Sequence, residues 1–193
     1  SDWIFLAVTP VVGEKILRDL KFKKNQIVIS FISTLKMSQL KKFITSNVKI
    51  IRAIPLPPIS LRKGPIPIYP PNKKVKKFFN KLGDTIEIKK ESSSLNFWTT
   101  SSLMAPFFEV LNTSCKWLIK KGVNKIVAQR YITSLFSALA ESSINNKDLN
   151  LLVKYSQTPK GLNEQALENL KKFGFYRNLN KSLDKVLKRL RKY

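Results

Sequence analysis

At 193 residues the chain can hold one large domain or two small ones with a real core, and no apolar run reaches the ~18–20 residues of a membrane span. Its 36 Lys and Arg against 12 Asp and Glu give a net charge of +24, and the absence of histidine excludes His-based catalysis and His metal ligands within the chain. One cysteine, Cys115, excludes an internal disulfide and favours a reducing compartment, read here as the cytoplasm.

The charge admits two readings. A basic surface can serve nucleic acid or an anionic membrane. A lysine-rich background, in which exposed positions default to Lys, gives the same total without that function. Here most basic residues are Lys, spread from Lys15 to Lys192, whereas base-edge readout favours Arg. The second reading is preferred, so neither nucleic acid nor membrane is expected as a partner. The first ten residues also lack the basic start of a signal peptide.

Taken in order, Asp2 to Val8 is a continuous apolar strand ended by Thr9-Pro10, and Val11 to Leu20 has apolar residues at helical spacing. Gln26 to Ile32 reads as a second buried strand, with a Ser-rich turn over Ser30 to Thr34 and a helix from about Lys36 to Ile44. Val48 to Ile54 is a third strand. It is stopped by Pro55, Pro57 and Pro58, which supply no N–H to a ladder and force an extended loop. Ile66 to Tyr69 is flanked by prolines and predicted to be an edge strand. Lys73 to Leu82 is an amphipathic helix ended by Gly83, and Thr85 to Ile88 alternates as an exposed strand. Such alternation of strands and helices predicts a mostly parallel sheet with crossover helices, in which the space beyond the strands' carboxyl ends binds ligands.

After Lys90 the character changes, and no strand pattern recurs from Ser92 to Tyr193. Leu95 to Lys120 is predicted as a long, mostly apolar central helix, kinked at Pro106 or preceded by a loop, with Gly122 ending it. Asn124 caps a helix to about Glu141, Lys147 to Tyr155 is a short helix, and Thr158 to Gly161 is a turn. Asn163 to Phe173 and a basic Phe175 to Arg191 follow as helices. The boundary is placed between an α/β region, 1–91, and an all-α region, 92–193. A helix as apolar as Leu95 to Leu118 should be buried on most faces, which favours packing against a second copy.

The chain has no paired carboxylates, no cysteine cluster, no Gly-x-Gly-x-x-Gly and no phosphate loop, so no catalytic residue and no metal site is assigned. What remains is a set of polar residues at strand ends and helix starts: Thr9, Ser30, Ser33, Thr34, Ser102, Thr158, Gly161 and Asn163. Taken singly, each can be an N-cap or turn residue.

Five segments stand in a telling order: Asp2-Trp-Ile-Phe-Leu-Ala-Val-Thr-Pro10, Val28-Ile-Ser30, Ile51-Arg-Ala-Ile-Pro55, Ser102-Leu-Met-Ala-Pro106 and Thr158-Pro-Lys-Gly161. Together they resemble pyrroline-5-carboxylate reductase over essentially the whole chain. The resemblance implies the C-terminal portion of a Rossmann-type NAD(P)-binding domain followed by an all-α dimerisation domain. It also implies that the first βαβ unit, with its pyrophosphate-holding glycine turn, lies outside this chain, so that the chain alone binds NAD(P) poorly and is inactive.

By the same resemblance Ala7, Val8, Thr9 and Pro10 line the nicotinamide-ribose side of NADP or NAD, with NADP favoured. Ser30 sits at the next strand end, and Arg52 with Ala53, Ile54 and Pro55 forms the nicotinamide-side wall. Ser102, Leu103, Met104 and Ala105 give backbone amides to the substrate, and the turn with Gly161, Leu162 and Asn163 closes over it from a second subunit. The implied activity is hydride transfer to a cyclic imine or related oxo-acid substrate, as in proline biosynthesis. The alternatives are a non-catalytic dimeric binding protein of the same fold and a basic nucleic-acid-binding module. Leu56-Pro57-Pro58, Leu103-Met104 and Lys160 with Leu162 depart from the family's Asn-Thr-Pro, Ser-Gly-Ser-Gly-Pro and Pro-Gly-Gly-Thr-Thr patterns, which predicts a greasier pocket than a small carboxylate needs.

Overall fold

The computed structural model describes residues 1–44 and 47–192. The chain divides into two compact units, Ser1–Ser101 with Lys185–Tyr193, and Ser102–Asp184. The first unit is built from β1 (Trp3–Leu6), α1 (Pro10–Asp19), β2 (Ile27–Ser30), α2 (Met37–Phe43), β3 (Lys49–Ala53), a 3₁₀ turn at Pro57–Leu61, β4 (Pro65–Tyr69), α3 (Lys73–Phe79), β5 (Asp84–Glu87) and α4 (Glu91–Ser101). Its sheet runs in the order β1-β2-β3-β4-β5, parallel except between β3 and β4.

The period of two along each strand sorts the core onto the two faces of the sheet. Leu6, Val28 and Ile50 pack with Leu17 of α1 and Leu40 of α2 on one face. Ile27, Ile29, Ile51, Ile66 and Ile68 pack with Val75 and Phe79 of α3 on the other. Strands so nearly apolar throughout are what a sheet covered on both faces demands. The approach of α1 is close at Gly13, where a Cβ would stand 2.5 Å from Ile32 Cδ1 and that side-chain end would have to shift.

The proline-flanked strand is not an edge, contrary to the sequence expectation: β4 lies between β3 and β5. The reason lies in which side its prolines face. Ile54 N donates to the Pro67 carbonyl at 3.2 Å, and Pro67 has no N–H to return the bond, so the antiparallel pairing with β3 is confined to Arg52 with Tyr69 and Ala53 with Ile68. The ladder to β5 instead uses neighbouring groups, as where Ile88 N donates to the Ile68 carbonyl. The outer strand on that side is β5, and its Thr85 is buried although the alternation there suggested exposure.

Among the described residues no strand follows Glu87. The second unit holds α5 (Met104–Lys120), α6 (Lys125–Ile144), α7 (Leu149–Tyr155), α8 (Leu162–Lys172) and the start of α9 (Phe175–Arg191). The expected long helix from Leu95 is therefore two. The break falls at Ser102 and Leu103, ahead of Pro106, and α4 begins back at Glu91 and buries Ser94, Trp98 and Thr99 within the sheet unit. The boundary between the units thus lies a full helix beyond the change in composition near Glu91. Asn124 caps α6 as expected, accepting from Ile126 N at 2.9 Å, and Gly122 makes the preceding turn at a φ of 90°.

The burial expected of the central helix is not met within one chain. No residue of α5 is buried, and Phe108 and Trp117 stay 55% and 60% exposed. The helix is covered along α6, where Cys115 Sγ meets the Ala128 carbonyl and Phe107 packs on Phe136.

Candidate functional site

Parallel pairing aligns three strand ends. Leu6 stands beside Ser30, and Ser30 beside Arg52, so the chain leaves β1, β2 and β3 at a common carboxyl edge. The residues expected on the cofactor side gather there: Ala7 to Pro10 after β1, Ser30 at the end of β2, and Ala53 to Pro55 at and after the end of β3. They are not equivalent in access. Ala7, Thr9 and Pro10 are exposed, Val8, Ile54 and Pro55 are half-buried, and Ser30 and Ala53 are fully buried. The Ser30 hydroxyl oxygen accepts the Ile32 amide at 3.3 Å, which holds the loop after β2.

Pro10 occupies the first turn of α1, where the missing N–H costs nothing and φ is already helical. The neighbouring Val11 and Val12 amides, like those of any first helical turn, have no intrahelical acceptor. The residues present therefore suit one end of a dinucleotide, with small side chains over open backbone beside a helix start. The chain has no Gly-x-Gly-x-x-Gly to hold a pyrophosphate.

Beneath this edge lies a polar node that the sequence reading did not resolve. The Arg52 side chain is 1% exposed. Its Nη1 donates to Glu91 Oε1 at 2.6 Å, its Nη2 to the Ser33 carbonyl at 2.8 Å, and its guanidinium carbon lies 4.0 Å from the Trp98 ring centroid. Glu91 Oε1 also accepts the Met37 amide at 2.6 Å, so it caps α2 from the far side of the sequence. Burial lowers the Arg52 pKa to about 10, outweighing the opposing pull of Glu91, yet the group stays charged at neutral pH. One buried cation thus joins the end of β3, the loop after β2, the start of α2 and the start of α4. Its only signal in the sequence is an arginine inside Ile50-Ile51-Arg52-Ala53-Ile54, and the resemblance placed Arg52 in the ligand wall whereas the side chain turns inward.

In the second unit, Leu103 is the N-cap of α5, and Met104 and Ala105 supply first-turn amides beside Pro106, which has none. Ser102 is exposed and Leu103 half-buried. Gly161 is the N-cap of α8 and closes the turn by donating its amide to the Thr158 carbonyl at 2.7 Å. A Cβ there would stand 2.8 Å from that carbonyl oxygen, so the turn needs glycine. Lys160 holds a left-handed φ of 61° and its amide donates to Glu164 Oε2. Leu162 is 84% exposed, and the Asn163 Nδ2 donates to the Ser156 carbonyl at 2.8 Å, closing the same turn. Among the described residues no group of three His, Cys, Asp or Glu could hold a metal, and no helix is long and apolar enough to cross a membrane.

Comparison with known proteins matches this arrangement. The family model for pyrroline-5-carboxylate reductase dimerisation matches residues 97–193. No curated protein matches the sequence. The fold is similar to that of 1-pyrroline-5-carboxylate reductase from Streptococcus pyogenes, with a TM-score of 0.87 at 19% identity, covering 100% of this chain and 76% of that one. It is similar as well to the Plasmodium falciparum pyrroline carboxylate reductase with NADP bound, with a TM-score of 0.85 at 20% identity over 98% of this chain and 76% of that one. The Coxiella burnetii pyrroline-5-carboxylate reductase gives 0.84 at 20% identity, covering 100% and 76%. With a sheet unit of Rossmann type followed by a helical dimerisation domain, the chain belongs to the pyrroline-5-carboxylate reductase family.

Proposed function

We propose that the protein is an NAD(P)H-dependent reductase of a cyclic imine, working as a homodimer, with NADP the favoured cofactor. The observation that carries this reading is the gathering of Ala7–Pro10, Ser30 and Ala53–Pro55 at one carboxyl edge of three parallel strands in a chain of this family. A bound reduced nicotinamide supplies the hydride that turns the imine carbon into an amine carbon, while the nitrogen takes its proton from water. The chain's own role is placement. Thr9 and Pro10 offer the exposed wall after β1, and Ile54 and Pro55 the half-buried wall after β3. The Arg52–Glu91 pair ties the end of β3 to the loop after β2 and to the starts of α2 and α4 from beneath. Met104 and Ala105 are assigned to the substrate's polar group through their backbone amides, and the Thr158–Asn163 turn to its enclosure. Orientation is the main demand of such a reaction, which fits a chain without histidine.

The test is oxidation of NADPH and NADH by the intact gene product with a panel of cyclic imines and 2-oxo acids, including 1-pyrroline-5-carboxylate. Turnover of a cyclic imine is expected. If no member of the panel is reduced while the protein remains a folded dimer, the non-catalytic binding protein replaces this reading.

A further inference from the structure

The chain's charge is divided unevenly between its two units. The first, Ser1–Ser101 with Lys185–Tyr193, holds 24 Lys and Arg against 6 Asp and Glu, a net +18. The second, Ser102–Asp184, holds 12 against 6, a net +6. A background in which exposed positions default to Lys would load the two in proportion to their size, and the first is only about a third longer. Its net charge is three times as large. The excess falls on the unit whose sheet carries the edge assigned to the cofactor.

Little of that charge is neutralised in place. Among the described residues the first unit has two ion pairs, the buried Arg52 with Glu91 at 2.6 Å and Lys76 with Glu87 at 3.2 Å, so 22 of its 24 cations have no ionic partner. Some of them flank the edge itself. Lys36 is the N-cap of α2, which follows β2, and the exposed Arg62 and Lys63 come after the 3₁₀ turn that follows β3. Glu14 of α1 is the exposed carboxylate on the helix after β1. A surface of one sign speeds the association of an oppositely charged ligand by about 10- to 1,000-fold, an advantage that salt removes. The pull scales with the ligand's charge. A reduced dinucleotide carries about −2 on its diphosphate, and a 2′-phosphate adds nearly as much again. In one field, therefore, a tenfold gain for NADPH corresponds to about threefold for NADH.

We infer that the unpaired cations of the sheet unit steer the dinucleotide onto it, and that this field selects NADPH over NADH through the rate of association, a selection that salt abolishes. The identity of the ligand rests on the reductase reading above. Selection by a field appears in kon, whereas a fitted phosphate contact appears in koff and survives salt. Stopped-flow fluorescence of NADPH and NADH binding to the intact protein, from about 0.01 M to about 0.3 M potassium chloride, reads both rates without turnover. Across that range kon should fall by about tenfold for NADPH and about threefold for NADH, with koff steady. Lys73, Lys74, Lys77 and Lys81, on and just after α3, are exposed and assigned to neither ligand. Changing all four to Glu takes the unit from +18 to about +10. That variant should lower the NADPH kon at low salt by about threefold and flatten its salt response, with kcat for imine reduction unchanged. Salt-dependent binding of this kind with no imine reduced upholds the steering and sinks the reductase. A kon indifferent to salt, equal slopes for the two cofactors, or no binding of either overturns the steering.

Discussion

Removing the Glu91 carboxylate tests how the carboxyl edge of the sheet is held. Glu91→Ala leaves the Arg52 guanidinium, 1% exposed, without its anion, and takes the acceptor from the Met37 amide as well. Breaking a buried pair from one side costs about 3–5 kcal/mol, because the surviving charge stays desolvated. Glu91 is itself 30% exposed, so water can reach some of the gap, and the lower end of the range applies. An unmet Met37 N–H adds about 1 kcal/mol. A loss of about 4 kcal/mol is a large fraction of a stability of about 5–15 kcal/mol, and in a protein of this size lowers Tm by about 10 °C. Differential scanning calorimetry and urea melts at pH 7 read it directly. The paired substitution Arg52→Met with Glu91→Leu should recover most of the loss, since it leaves no buried charge. A Glu91→Ala loss below about 1 kcal/mol, or a double variant no better than the single one, would refute the node as described.

Three further outcomes are expected. Gly83→Ala would place a Cβ 2.5 Å from the Gly64 carbonyl oxygen, which is backbone and cannot turn aside, so the start of β4 and β5 must separate at a cost of about 1–3 kcal/mol; an unchanged urea midpoint would contradict this. Lys160→Gly removes a left-handed strain of about 1–2 kcal/mol, partly offset by the freer unfolded chain, for a net gain of about 0.5–1 kcal/mol in thermal melts. Light scattering should give a dimeric mass, and Trp117→Glu on the exposed face of α5 should shift it to that of a monomer; a wild-type monomer would leave that apolar face without its expected cover.

Much of the architecture could be read in advance because it follows from local rules. The β-branched runs at Ile27 and Ile50 became strands, the prolines after Ile54 ended one, and Asn124 and Gly122 marked a helix start and a turn. The rule that failed for Ile66 to Tyr69 is instructive. A proline is tolerated inside a sheet where the ladder on the side of its missing N–H is short: Pro67 returns no bond to β3, so that pairing is confined to two residue pairs, while the ladder to β5 is carried by neighbouring groups. Likewise Pro106 drew attention from the true break at Ser102, since a proline in the first turn of a helix is harmless.

The site divides along the same line. Sequence order alone placed Thr9, Ser30 and Ala53 at strand ends, because strands and their stops are written in neighbouring residues. Tertiary structure decided which of these ends face solvent, leaving Thr9 open while Ser30 and Ala53 are covered. It also turned Arg52 inward onto Glu91, 39 residues further along the chain, and set Leu56 against Phe97 and the prolines of β4. Partners so distant in sequence meet only through the packing of a helix on a sheet, and no spacing along the chain encodes that meeting.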